Sequence, residues 1–288
     1  MLATGALAAD LPVKAPPLPV AVYNWTGFYV GGNIGSSWGH SSTTTSFYDG
    51  TSGALLSSSA AGFNMDGAIG GVQAGYNWQR DKWVFGIEAD IQASGQRGDG
   101  LFNCAGGALT PRPAALNGTC APGHVGDTAP FDVAAFPVGD ALSQKLQWFG
   151  TLRGRIGPTV TPTVLLYVTG GLAYGEVKTF EQVAGVNITG LNGTNNSTST
   201  PVFATFGNTS TRVGWTVGAG IEGALGGNWT AKLEYLYIDL GTVSASFLTP
   251  ITTTGGGLLG IRYSSHITDN ILRVGLNYRF GGPVVAKY

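Results

Sequence analysis

The stretch Ile271-Leu272-Arg273-Val274-Gly275-Leu276-Asn277-Tyr278-Arg279-Phe280 decides the fold. Leu272, Val274, Leu276, Tyr278 and Phe280 fall on one side of an extended chain. Arg273, Gly275, Asn277 and Arg279 fall on the other. Alternation of period two marks a strand whose two faces meet different surroundings. A soluble sandwich turns its polar face to water and its apolar face to a core. A membrane barrel inverts this, with lipid outside and a polar interior. One strand fits either, so the remaining chain has to discriminate.

Seven earlier stretches carry the same rhythm. Phe28, Val30, Gly32, Ile34 and Trp38 share one face of residues 28–38. Val72, Ala74, Tyr76 and Trp78 do so in 68–78, with Gln73, Gly75 and Asn77 opposite. Trp83, Phe85, Ile87, Ala89 and Ile91 follow, with Glu88, Asp90 and Gln92 opposite. In 144–157, Leu146, Trp148, Leu152 and Ile156 are expected outward, and Gln147, Thr151, Arg153 and Arg155 inward. In 163–176 the outward set is Val164, Leu166, Val168, Leu172 and Tyr174. The sixth strand turns Val213, Trp215, Val217, Ala219 and Ile221 out and Thr216 and Glu222 in. The seventh turns Trp229, Ala231, Leu233, Tyr235 and Tyr237 out and Lys232 and Glu234 in.

Each stretch is long enough for the roughly 9–11 residues of a tilted membrane-crossing strand. Short turns at 79–82, 158–162 and 226–228 alternate with long polar segments at 40–65, 94–143, 179–210 and 244–265. We expect those long segments to be loops. The pattern predicts an all-β, eight-stranded, antiparallel up-and-down transmembrane barrel. Short turns would face the periplasm and long loops the exterior. A lipocalin-like soluble barrel is the rival, but its outer face should be polar.

Composition agrees. Charged residues make up 11% of the chain, against about 25% in soluble domains. The net charge of −1 gives no footprint for nucleic acid. Residues 1–9, with Ala6-Leu7-Ala8, fit the tail of a signal peptide whose start lies upstream. Residues 10–24 hold Pro12, Pro16, Pro17 and Pro19 and form an extended periplasmic leader. The barrel is expected over 25–280, with an extension at 281–288.

Aromatic residues gather at strand ends. Trp25, Trp78, Trp83, Trp229, Tyr278 and Phe280 form an expected periplasmic girdle, and Trp38, Trp148, Tyr174, Trp215 and Tyr237 an outer one. The inward charges are Glu88, Asp90, Arg153, Arg155, Glu222, Lys232, Glu234, Arg273 and Arg279. Unpaired charges in a narrow interior are costly, so pairing is expected: Glu88 with Arg153, Glu222 with Lys232, Glu234 with Arg273. An interior of eight strands is just wide enough to be filled by side chains. A salt-bridged plug is therefore expected; a gated narrow pore or proton path is the functional rival.

Cys104 and Cys120 are the only cysteines and share one predicted outer loop. An exported chain meets an oxidising compartment, so a disulfide is expected, worth about 3 kcal/mol in the chain-entropy model. Gly218-Ala219-Gly220-Ile221-Glu222-Gly223 matches a dinucleotide string but lies within a strand followed by another strand, which excludes that use. His40, His124 and His266 lack metal-ligand spacing. No nucleophile–base pair or paired-carboxylate signature is present, so no enzymatic role and no cofactor is expected.

Four segments carry a family resemblance: Ala8-Ala9-Asp10-Leu11-Pro12, Tyr23-Asn24-Trp25-Thr26-Gly27-Phe28-Tyr29-Val30-Gly31-Gly32-Asn33-Ile34-Gly35, Tyr167-Val168-Thr169-Gly170-Gly171-Leu172-Ala173-Tyr174-Gly175, and Leu272 to Phe280. The chain resembles the small outer-membrane β-barrel, porin-family surface proteins of alphaproteobacteria. The resemblance implies an outer-membrane location, a structural and surface-antigen role, and contact with membrane lipid and the barrel-assembly machinery. Some relatives bind hemin, which implies a heme or host ligand at the loops, with His40, His124, Tyr48 or Tyr263 as ligands. Such chains usually end at the terminal Phe that signals insertion. Here residues 281–288 follow Phe280. Either Phe280 acts internally or Tyr288 supplies the terminal aromatic.

Overall fold

The computed structural model describes residues 23–53, 55–103, 136–189, 198–251 and 257–280. Nine strands form one antiparallel sheet: β1 Gly27–Asp49, β2 Leu55–Arg80, β3 Trp83–Ser94, β4 Arg97–Asn103, β5 Phe136–Thr161, β6 Val164–Thr189, β7 Thr198–Gly226, β8 Trp229–Ile251 and β9 Gly257–Phe280. The first and last pair with each other, from Phe28 opposite Phe280 to Asp49 opposite Leu259. β3 and β4 are two halves of one wall strand, interrupted at Gly95 and Gln96. Both halves lie between β2 and β5. The wall is thus a closed ring of eight.

Parity sets which face is which. Ile34, Val72, Ile87, Leu152, Val168, Val217, Leu233 and Val274, one on each wall strand, are 45–67% exposed. Their inward neighbours, such as Asn33, Gln73, Glu88, Arg153, Thr169, Thr216, Lys232 and Arg273, are at most 5% exposed. An apolar belt of this kind is stable in lipid and a liability in water.

The strands are far longer than expected. The seven uninterrupted ones run for 23 to 29 residues, roughly 75–100 Å along the chain at the usual strand rise. The apolar band of such barrels is only about 25 Å tall. Most of the segments expected as loops at 40–65, 179–210 and 244–265 are strand, as are the described ends of 94–143. Polarity misled the reading. Beyond the membrane both faces of a strand meet polar surroundings, so alternation fades while the ladder continues. Ser41, Thr43 and Thr45 still point inward and are buried, and threonine favours extended backbone.

A second correction concerns Leu146. The β5–β6 register shifts between Leu146 and Trp148. The extra residue of this bulge reverses the phase. Leu146 therefore points inward at 2% exposure, not outward as expected.

At the turn end, Asp81 takes φ 55° and Gly227 φ 57°; aspartate and glycine tolerate this left-handed region in tight hairpins. At the other end the ring is incomplete. The β7–β8 ladder stops at Trp215 opposite Asp239. The β6–β7 and β8–β9 ladders continue to Thr189/Thr198 and Ile251/Gly257. Across this seam the contact is between side chains, with Phe206 stacked on Phe247 at 4.6 Å.

Candidate functional site: the charged lumen

Four acids and four bases meet inside the turn half of the barrel. Glu88 and Asp90 come from β3, Arg153 and Arg155 from β5, Glu222 from β7, Lys232 and Glu234 from β8, and Arg273 from β9. Glu88 faces Arg153 across adjacent strands and Glu234 faces Arg273. Arg153 pairs with Glu88, with Asp90 at 3.1 Å and with Glu234 at 3.1 Å. Arg273 Nη2 lies 2.6 Å from Glu234 Oε2 and 2.9 Å from Asp90 Oδ2. The formal charges of these eight side chains cancel, and all are almost fully buried.

Glu222 and Lys232 face each other in register, yet they do not pair. Lys232 Nζ reaches across the lumen to Glu88 Oε1 at 2.8 Å. Glu222 accepts instead from Arg155 Nη1 at 2.9 Å, from Thr230 Oγ1 and from Asn277 Nδ2. A narrow lumen makes partners across the bore as near as partners along the wall. Arg279 stands apart from the cluster. It donates to the Thr26 carbonyl at 3.1 Å and lies over the Tyr23 ring at 4.9 Å, at the mouth.

Several members of the site were not singled out from sequence. Tyr29 donates its hydroxyl to Glu88 at 2.7 Å, and Tyr167 donates to Glu234 at 2.9 Å. The Arg155 guanidinium lies against both rings, at 4.8 and 5.2 Å, a favourable cation–π placement when desolvated. Asn33, Gln73 and Asn277 form a hydrogen-bonded chain that ends on Glu222. Inward parity was the available signal for all of them. Glycine provides the room: a Cβ on Gly75 would collide with Tyr29, and one on Gly220 with Tyr167.

Trp25 also departs from expectation. It is 1% exposed, so it is not part of the periplasmic girdle in which it was expected. Trp25 precedes β1, before the chain turns at Gly27 with φ 143°, so it enters the mouth instead of the wall. There it packs with Val84, Leu165 and Tyr167. Its amide donates to Gln79 Oε1 at 2.8 Å and its indole to the Pro162 carbonyl at 3.3 Å. Trp78, Trp83, Trp229 and Phe280 are 46–50% exposed on the outer wall at the turn end. Tyr278 bridges two of them, 5.1 Å from Trp229 and 5.2 Å from Phe280.

Above the charges the lumen stays filled. Phe149, Met65, Ile69, Leu146, Leu236 and Ile271 form an apolar layer. Beyond it Ser41 donates to Gln144 at 2.6 Å, and Gln144 donates to Ser265 at 2.9 Å. Among the described residues, the suggested heme ligands His40, Tyr48 and Tyr263 do not share one site. His40 lies exposed on the outer wall beside Asn64, and Tyr48 lies under Arg262. Tyr263 is buried inside the tube. Cys104, Cys120, His124 and residues 281–288 lie outside the described residues, as do residues 1–22.

Comparison with known proteins agrees with this architecture. Residues 2–280 match the family model described as "Outer membrane protein beta-barrel domain". The chain is 34% identical over 290 residues to the 31 kDa outer-membrane immunogenic protein of Brucella melitensis, covering 97% of this chain and 95% of that one. It is 25% identical over 280 residues to the 25 kDa outer-membrane immunogenic protein of Brucella canis, covering 96% and 91%. It is 28% identical over 226 residues to the 22 kDa outer membrane protein of Rhizobium leguminosarum, covering 78% and 68%. A lipid-facing belt, a polar lumen and this match along nearly the whole chain lead to one conclusion: the chain belongs to the outer-membrane β-barrel protein family and resides in the outer membrane of a Gram-negative cell.

Proposed function

We propose that the protein is a non-conducting structural barrel that supports the envelope and presents tall surface hairpins. The observation that carries this is the filled lumen. Trp25 closes the periplasmic mouth, the eight-charge cluster fills the bore behind it, and an apolar layer follows. Ions would have to break buried pairs to pass, and breaking one leaves a buried charge uncompensated. The Brucella relatives are named as immunogenic outer-membrane proteins, which supports a surface-presenting role for the outer hairpins. On this reading Trp78, Trp83, Trp229, Tyr278 and Phe280 anchor the periplasmic interface, and Phe280 serves as the insertion signal for the assembly machinery.

Planar-bilayer recording of the purified protein tests the reading. No steady conductance is expected. Stable channels whose ion selectivity changes in Arg153→Ala would overturn it.

A further inference from the structure

A row of cations crosses the outer wall just beyond the outer aromatic girdle. Arg97 on β4 faces Lys145 on β5, and Lys145 faces Lys178 on β6. All three are exposed. Lys145 lies three residues beyond Trp148, and Lys178 four residues beyond Tyr174. Trp148 and Tyr174 are in contact at 6.1 Å. Four residues of strand span roughly 13 Å, which places the row among lipid headgroups.

Two lysines directly opposite each other across a ladder repel and weaken it. Among the described residues neither makes an ion pair or hydrogen bond. The nearby acids lie to the sides. Asp99 is 3.5 Å from Arg97, Asp66 faces Arg97 from β2, and Glu176 is two residues nearer the membrane than Lys178. The Lys145–Lys178 pair is left to an outside anion. The outer leaflet of an outer membrane is built from a glycolipid whose disaccharide head carries phosphates. A phosphate between two ammonium groups satisfies both, with a guanidinium alongside.

We propose that Lys145 and Lys178, flanked by Arg97, form a docking site for the phosphorylated head of an outer-leaflet glycolipid of the lipid A class. The apolar wall beneath, including Leu172 and Leu152, would lie along its acyl chains.

The test uses the full chain in detergent, titrated with bisphosphorylated lipid A. Juxtamembrane cations contribute about fivefold each. Lys145→Gln/Lys178→Gln should therefore weaken binding roughly thirtyfold, while Arg262→Gln, an exposed cation much farther along β9, should change it less than about twofold. Dephosphorylated lipid A should bind the unaltered protein as weakly as intact lipid A binds the double variant. That arm needs no substitution. Equal binding of both lipids, or undiminished binding by the double variant, overturns the proposal. Displacement of the lipid by an equal concentration of inorganic phosphate also overturns it, because it would mark a free-anion site.

Discussion

Lys232 on β8 bonds to Glu88 on β3 across the bore, 2.8 Å from Nζ to Oε1, while Glu222 opposite it on β7 turns to Arg155. The ion pairs therefore tie distant parts of the ring together instead of merely decorating neighbouring strands. Glu88 is the hub. Arg153, Lys232, Arg155 and Arg273 all lie within 3.7 Å of its carboxylate.

Removing the hub should cost far more than a surface pair. Glu88→Gln leaves its cations undercompensated in a buried site, and we expect a loss of about 3–5 kcal/mol. Denaturant titration in detergent, read by the heat-modifiable gel shift, measures it. Adding Lys232→Met removes one stranded cation and should recover part of the loss. No change in either variant would show that the cluster is not coupled to stability.

Opening the mouth should not open the barrel. Trp25→Ala removes the aromatic lid, at about 3–5 kcal/mol if the void does not collapse. The charge cluster and the apolar layer behind it remain. Bilayer recordings of Trp25→Ala should stay silent, as for the parent. Channel activity in this variant alone would identify Trp25 as the sole barrier.

Glycines facing inward and outward should respond oppositely to the same substitution. A Cβ at Gly220 meets the Tyr167 ring and the Leu233 carbonyl. Gly220→Val should therefore cost about 1–3 kcal/mol or more through overpacking. Gly154 faces outward, and the nearest atom to a Cβ there is 4.0 Å away. Gly154→Val should be neutral or stabilising, because a β-branched residue suits the strand and the lipid face. Unfolding midpoints of the pair decide this.

The tall outer wall can be mapped by labelling. Thr44 and Thr205 are exposed on strand segments well beyond the girdle, whereas Val168 lies in the belt. Cysteines placed at Thr44 and Thr205 should react fully with a membrane-impermeant maleimide on intact cells. A cysteine at Val168 should remain at background. Protection of all three would shorten the exposed wall to the loops expected from sequence.

Parity made much of this fold legible. Wherever lipid lies on one side and a polar bore on the other, residues such as Val274 and Arg273 declare their faces. Where both sides are lined by polar side chains, as around Ser41 to Thr45, the code carries no contrast and a strand resembles a loop. Single-residue insertions were also invisible: the bulge at Leu146 to Trp148 reverses every side chain beyond it. The members of the charged site followed from parity, but their pairing did not. Register names the neighbour on the wall, whereas Lys232 chose a partner across the bore. Trp25 was misplaced for a related reason, since residues before the first strand obey no parity.

The seam between β7 and β8 has a consequence for change in the surface. Below Trp215 and Asp239 every wall strand is hydrogen-bonded on both sides, so any slip in register would propagate around the ring. Beyond that point β7, still joined through β6 to β5, and β8, still joined through β9 to β1, rise as the facing edges of two sheets. Either sheet can gain or lose matched residues along its own strands without requiring a compensating change in the hydrogen bonding of the other. The part of the molecule most exposed to outside pressure is thus free to diversify in height, while the membrane ring keeps one fixed geometry.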